Sequence, residues 1–295
     1  MAYDAVIVGG SFAGLSAALP LARARRRVAV VDGGVRRNRF ADHSYNFFGQ
    51  DGAAPSEMVA TAKQQLLRYS TVLWLDDVVE AAEREGDAFA LRTSGGHWLR
   101  AQRLVLASGV VDHLPAVPGL RERWGRSVFH CPYCHGYELD GGRIGVLATG
   151  PMSVHQALLL PEWGSVTFFL NGAASPDEAQ RQELAARGVR IEPTPVRALA
   201  GEATVVLDDG REVELAGLFT ASRTEPASPL ARQLGCAFED GPLGPFVKTD
   251  AQKATTVAGV FACGDMARGA GSVALAVGDG AMAGTAAHRS LVFPA

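Results

Sequence analysis

Apolar residues along this chain gather in short runs that end on glycine, and amphipathic stretches separate the runs. The first run is Ala5–Val8. It leads into Gly9-Gly-Ser-Phe-Ala-Gly14, a helical stretch from Leu15 to about Arg27, and a second run, Val28–Val31, that ends on Asp32. Strand, glycine turn, helix and strand fit within about 30 residues, the size of a dinucleotide-binding βαβ unit. The glycines let the backbone approach a pyrophosphate, and the helix N-terminus offers it N–H groups. Asp32 falls where an acid accepts ribose hydroxyls. Ser11 stands in place of the middle glycine, and its small side chain keeps the close approach. An ordinary β-turn-α unit has the same outline and stays open as the plainer alternative. Pro20 lies inside the helix, where it removes one hydrogen bond and predicts a kink.

The pattern continues with a helix over Ser56–Arg68 that turns Met58, Ala62, Leu66 and Leu67 inward. Val72–Trp98 alternates as short strands around a turn at Arg84-Glu-Gly-Asp87. Arg103–Gly109 is a buried strand that ends on small residues. Pro115 and Pro118-Gly119 then break the chain and mark a domain boundary. Beyond it, the strand Arg143–Leu147, the turn Ala148-Thr-Gly-Pro-Met-Ser153, the helix Val154–Leu160 and the strand Val166–Leu170 form a second, weaker βαβ unit. Pro151 suits a first helical turn, where its missing N–H does no harm. Neither an acid nor an arginine follows at Asn171-Gly172. A helix over Asp177–Arg187 and short strands lead to about Val247. The last apolar strand, within Thr256–Cys263, ends on Gly264-Asp265, ahead of a small-residue helix, Val273–Leu291. The predicted class is α/β, with two doubly wound Rossmann-like domains.

Length and composition narrow the function. A chain of 295 residues suffices for one large or two medium domains. With 47% apolar and 20% charged residues it is ordinary for a globular core. A net charge of −3 without a basic block argues against nucleic acid as partner. No apolar run reaches membrane-span length, and Met1-Ala-Tyr-Asp4 opens straight into a strand without a charged leader, so a cytoplasmic protein is expected. Four cysteines are too few for a disulfide scaffold.

Two of them, Cys131 and Cys134, sit in Phe129-His-Cys-Pro-Tyr-Cys-His-Gly-Tyr-Glu138. In a reducing compartment such a pair is redox-active or metal-binding. Zinc needs four ligands; the pair supplies two, and His130 and His135 are spaced too tightly to complete a familiar finger. Cys236 and Cys263 are most simply small buried residues. At a helix start the dipole lowers a thiol pKa, and the thiolate is the reacting form. His135 is placed to move a proton near neutral pH. His130 is a second candidate, more consistent with an exposed structural histidine. Glu138 either orients His135 or pairs elsewhere. Arg36, Arg37 and Arg39 cover an adenosine phosphate or form a solvated loop. The aromatic loop His43–Gly52 shields a flat cofactor or packs on the core.

Taken together, Gly9–Gly14, Asp32, Leu106–Gly109, Cys131–Cys134 and Val260–Asp265 resemble, in order, the low-molecular-weight thioredoxin reductases, from Asp4 to about Leu291. The resemblance implies an FAD domain made of residues 1–115 and 249–295 and an inserted NAD(P)-type domain, 116–248, that carries the cysteines. It implies FAD contacts from Gly9, Gly10, Ser11, Ala13 and Gly14, with Asp32 and Gly33 after the second strand. Arg37, Asn38, Asn46 and Val78 are expected to follow along the crevice, then Ala107, Ser108 and Gly109. From the C-terminal end come Gly264, Asp265 (on a ribityl hydroxyl or as a helix N-cap), Ser272 and Val273. It makes Cys134 the flavin-proximal sulfur and Cys131 the one that exchanges with substrate, and implies a homodimer.

The sequence departs from the reductases at three places. The aspartate that follows their second cysteine is His135 here. Cys-Pro-Tyr-Cys-His-Gly-Tyr-Glu is similar to the branch of dithiol oxidases that close disulfides in gliotoxin, holomycin and romidepsin. The turn and the His-Arg-Arg run that grip NADPH read Ala148–Ser153 and Leu170-Asn171-Gly172, without a cation, so NAD(P)H binding is doubtful. An Arg-Gln-Ala at the flavin reads Gly271-Ser272-Val273, which leaves backbone contacts there. The expected function is an FAD-dependent thiol-disulfide oxidoreductase with Cys131, Cys134 and His135 as catalytic residues and no metal. Its partner is a dithiol or disulfide, either a small molecule or a thioredoxin-like protein. A dithiol oxidase that passes electrons to oxygen without NADPH is the leading form. A disulfide reductase driven by NAD(P)H or another donor is the alternative, and a non-catalytic flavin-binding redox sensor is a third. In the oxidase form, Cys134 is expected to face the flavin at rest.

Overall fold

Val6 and Ile7 are fully buried, as are Val28, Val30, Leu104 and Val105. Apolar residues buried on both faces of a strand belong to a parallel sheet covered on both sides. In the computed structural model, which describes residues 2–293, these runs make that sheet. Its parallel strands lie in the order Val72–Asp76, Val28–Asp32, Ala2–Val8, Trp98–Leu106 and Val260–Ala262. The antiparallel hairpin Val79–Glu85 and Ala88–Thr93 extends it along the first half of Trp98–Leu106.

Both ends of the chain build this unit. The helices Phe12–Arg23 and Val273–Val292 pack closely because glycine faces backbone. A methyl group at Gly280 or Gly284 would lie 2.1 Å from the carbonyl oxygen of Ala13 or Ala17, respectively. The first helix starts earlier than its pattern predicts and runs on through Pro20, whose carbonyl accepts from Ala24 N–H at 3.0 Å. The next helix covers Pro55–Leu66 and leaves Leu67, expected inward, 44% exposed just beyond its end.

The insert carries a second parallel sheet, in the order Arg190–Glu192, Gly164–Phe169, Gly141–Leu147, Gly217–Thr220 and Val128–Phe129. Ile144, Val146 and Phe168 fill one face, and Leu147, Phe169 and Leu218 the other. Asp177 caps the helix Glu178–Ala186 through a reciprocal capping box with Gln180. Two antiparallel strands, Val110–His113 and Arg223–Pro226, carry the chain out and back.

The sequence pattern assigns 116–248 to the insert, but Leu230, Ala231, Cys236 and Val247 share a core with Val6, Val31, Leu104 and Ala262. Apolar burial thus ties this stretch to the first unit, and we place the return at Arg223–Pro226. Among the described residues no helix is long and apolar enough to cross a membrane.

Candidate active site

The turn after Ala2–Val8 is built by close backbone approach. A methyl group at Gly14 would lie 1.8 Å from the Gly9 carbonyl oxygen, and one at Gly9 would lie 2.4 Å from that of Ala107. Gly10 rests on the indole of Trp74, whose part in the turn no local pattern announces. The Gly10 N–H donates to Asp32 Oδ1 at 2.9 Å, which fixes the acid at the mouth of the turn. No side chain caps the following helix at Ser11. Its first N–H groups, Ala13 among them, are therefore left to an anion. Gly33 lies against Val78, which is 52% exposed beside it, and Asn38 is half-buried further along the same loop. Across the crevice, Ser108 Oγ approaches Met266 Sδ at 3.5 Å, ahead of Gly109. These residues fit the nucleotide half of FAD: open N–H groups, a fixed acid and a backbone with no side chains in the way.

Cys131 precedes a short helix, Pro132–His135, and is joined to Cys134 in a disulfide with a Cα–Cα separation of 5.3 Å. Both line a cavity of about 370 Å³ together with Arg37, Asn46, Asp265, Ser272 and Leu275. The disulfide and one end of the expected FAD site therefore share one space. Ser272 caps the helix Val273–Val292, accepting from Leu275 N–H at 3.3 Å. Asp265 is not a helix cap: it lies in a tight turn, Gly264–Ala267. Gly271 makes room for it, since a methyl group there would lie 1.9 Å from Asp265 Oδ1. The loop is anchored by Asp279, which takes two bonds from Arg268, at 2.5 and 2.7 Å, and one from Lys253, at 2.9 Å.

Arg37 is not part of a solvated loop. It makes two bonds to Asp112, at 2.9 and 2.7 Å, and one to Asp265, at 2.8 Å. Asp112 also accepts from the Ser222 hydroxyl at 2.7 Å. Burial opposes the charge on Asp112, but the Arg37 bonds and the Ser222 hydroxyl hold its carboxyl below the usual range. Burial likewise opposes the Arg37 charge, and the two carboxylates more than offset this. Asp112 holds the cavity-lining Arg37 in place, and the sequence pattern does not single it out.

The two histidines part company. His130 lines the cavity of the disulfide and tilts against Trp124, with ring centroids 5.9 Å apart. It is half-buried, not the exposed structural residue expected. Burial, with Arg37 nearby and Asp112 opposing, lowers its pKa to about 3. His135 stacks on Phe129 at 4.3 Å and faces a second cavity, of about 460 Å³, beside His43, Tyr45, Arg126 and Glu138. Burial lowers its pKa to about 4. Cys236 and Cys263 are buried free thiols, as expected.

Residues 3–280 match the pyridine nucleotide-disulphide oxidoreductase family. The chain belongs to that family. Thioredoxin reductase tcpT of Claviceps purpurea is 35% identical, over 98% of this chain and 94% of that protein. An oxidoreductase from Agrobacterium tumefaciens superposes with a TM-score of 0.98 at 57% identity over the whole of both chains. The protein HlmI superposes with a TM-score of 0.92 at 38% identity, covering 98% of this chain and 92% of its own.

Pyridine nucleotide-disulphide oxidoreductases take their name from a nucleotide, and in this chain the second turn is closed by its own side chains. Thr149 N–H donates to Ser153 Oγ at 2.9 Å, and Thr149 Oγ1 donates to the Ala221 carbonyl at 2.9 Å. Pro151 has no N–H to offer at the start of the helix Met152–Leu159. After the second strand, Asn171 Oδ1 is engaged by Val196 N–H at 2.9 Å. A phosphate at this turn would compete with Ser153 for Thr149 and would meet no cation from Leu170–Pro176.

Proposed function

We propose that this protein is an FAD-dependent dithiol oxidase. The observation that carries the proposal is the pairing of an open cavity with a closed turn. The Cys131–Cys134 disulfide opens onto the space of Asp265 and Ser272, while the second nucleotide turn is satisfied by Ser153. A substrate dithiol exchanges at Cys131, and Cys134 is the sulfur on the flavin side. Bound FAD supplies the two-electron sink, with oxygen as the final acceptor. Gly9–Gly14 and Asp32 hold the nucleotide end of the cofactor; Asp265 and the backbone at Gly271–Val273 hold the other. In this proposal the pair rests at the flavin and rotation of the insert has no part in turnover; the cavity that Cys131 and Cys134 share with Asp265 and Ser272 supports it. Leu275 and Met282, 43% and 45% exposed on one face of the last helix, suit the homodimer that belongs to the same proposal.

The similarity to proteins named thioredoxin reductase favours a second reading, a disulfide reductase fed by NAD(P)H. Anaerobic titration of the purified flavoprotein separates the two. Bleaching by a small dithiol, indifference to NADPH and NADH, and peroxide on admission of air are the expected results. Rapid bleaching by NADPH refutes the oxidase. Failure of every donor to bleach the flavin leaves only a redox sensor.

A further inference from the structure

We propose that His130, and not His135, is the side chain that takes the proton from the substrate thiol reacting at Cys131–Cys134. The inference rests on the dithiol chemistry proposed above. Its ground is which space each ring enters. His130 precedes Cys131 in the chain, and its side chain lines the cavity that holds both sulfurs. His135 follows Cys134 but is drawn by its stacking on Phe129 into the other cavity, which neither sulfur lines.

His130 is held in place from two sides. Its backbone is held by Gln156, whose Nε2 donates to the His130 carbonyl at 2.9 Å. Trp124 packs against its ring. The charges that act on it are those of Arg37, which lines the same cavity, of Asp112, which is paired with Arg37, and of His135. Burial and Arg37 keep the resting imidazole neutral, which leaves a ring nitrogen open to accept a proton but weakens it as a base. Asp112 and each thiolate formed in the cavity favour the protonated ring by their charge.

The chemistry balances as follows. A substrate thiol enters as thiolate, its proton leaving to solvent, and attacks Cys131 Sγ. That S–S bond forms, the Cys131–Cys134 bond breaks, and the electron pair stays on Cys134 Sγ. The second substrate thiol gives its proton to His130 and attacks the substrate sulfur of the mixed disulfide. The substrate S–S bond forms, the bond to Cys131 breaks, and His130 returns the proton to Cys131 Sγ. The substrate loses two electrons and the cysteine pair gains them. A reductase would run the same steps in reverse.

The test uses holoenzyme and dithiothreitol, with two readouts: anaerobic flavin bleaching, and alkylation of newly formed Cys131 thiol measured by mass. The second does not depend on the flavin as acceptor. Removing a positioned acid/base group typically costs 10²–10⁴-fold. His130→Ala is therefore expected to slow alkylation roughly 100-fold or more, with added imidazole restoring part of the rate through the space left by the ring. His135→Asn is expected to slow it by less than about tenfold. Absorbance of bound flavin and melting temperature show that each variant is folded. A His130→Ala enzyme that is reduced at the wild-type rate overturns the inference, as does one whose deficit imidazole does not touch. If wild-type Cys131 is reduced by dithiol while its flavin stays yellow, the oxidase reading fails and the histidine assignment is still decided by alkylation.

Discussion

Asp112→Asn tests how the insert is held over the FAD unit. Asp112 lies on the outgoing crossing strand, and Arg37 comes from the loop after the second strand of the FAD unit, 75 residues away in sequence. The side chains of Asp112 and Arg37 are 8% and 19% exposed. An asparagine keeps the shape but loses the charge, and its amide N–H groups face the N–H groups of Arg37. Breaking a buried ion pair by removing one partner costs about 3–5 kcal/mol. Arg37 keeps Asp265 at 2.8 Å and touches solvent, so the loss is placed lower, at about 2–3 kcal/mol. For a chain of this size that lowers the melting temperature by about 3–5 °C.

The pH dependence has a definite sign. The folded-state pKa of Asp112 is depressed by Arg37 and Ser222, so its contribution is fully present above the ordinary carboxylate value of 3.8 and is lost as pH falls through the folded value. The gap between wild type and Asp112→Asn is therefore widest at neutral pH and closes in acid below 3.8. Melting followed by circular dichroism from neutral to acid pH measures it. A double-mutant cycle with Arg37→Met separates the pair from its surroundings. A gap under about 1 °C at pH 7, or one that widens in acid, refutes the reasoning.

Other perturbations read the cofactor site and the insert separately. Gly14→Ala places a methyl group 1.8 Å from the Gly9 carbonyl oxygen, so the variant is expected to purify colourless, as absorbance at the flavin band will show. Gly271→Ala pushes on Asp265 from 1.9 Å. Loss of one charge-assisted bond of about 1.5 kcal/mol predicts FAD affinity roughly tenfold weaker by fluorescence titration, and unchanged affinity would remove Asp265 from the site. In the insert, Glu192 accepts from Arg211 at 2.8 and 3.1 Å, which lowers its pKa to about 2. Glu192→Gln is accordingly less stable than wild type at pH 7, and denaturant midpoints should converge as pH falls towards 2.

The parts of this molecule that were legible in sequence are those whose determinants are local. The glycine turn, its flanking strands and Asp32 lie within one βαβ unit. Helix limits shifted by a few residues because apolar period does not mark the uncapped start at Phe12. The return of the chain to the first unit is hard to read for the opposite reason. The hairpin Phe238–Gly241 and Gly244–Val247 is short and partly exposed, and only its packing with Val6 and Leu104 shows which core it joins.

The histidines show the limit of spacing most directly. Helical periodicity puts positions one, four and five of a turn on a shared face, which favours His135 beside Cys131 and Cys134. Neighbouring helical positions still point about 100° apart, and a four-residue helix has no period long enough to decide where its edge residue turns. Phe129, on a two-residue strand before the cysteines, decides it by offering a flat face at 4.3 Å. His130 has no helical position at all, so no period places it. Its entry into the cavity follows from Trp124 against its ring and Gln156 on its backbone carbonyl, and Arg37 lines the same cavity. Those contacts come from segments far apart in the chain, and the two units must meet before the cavity has a base in it.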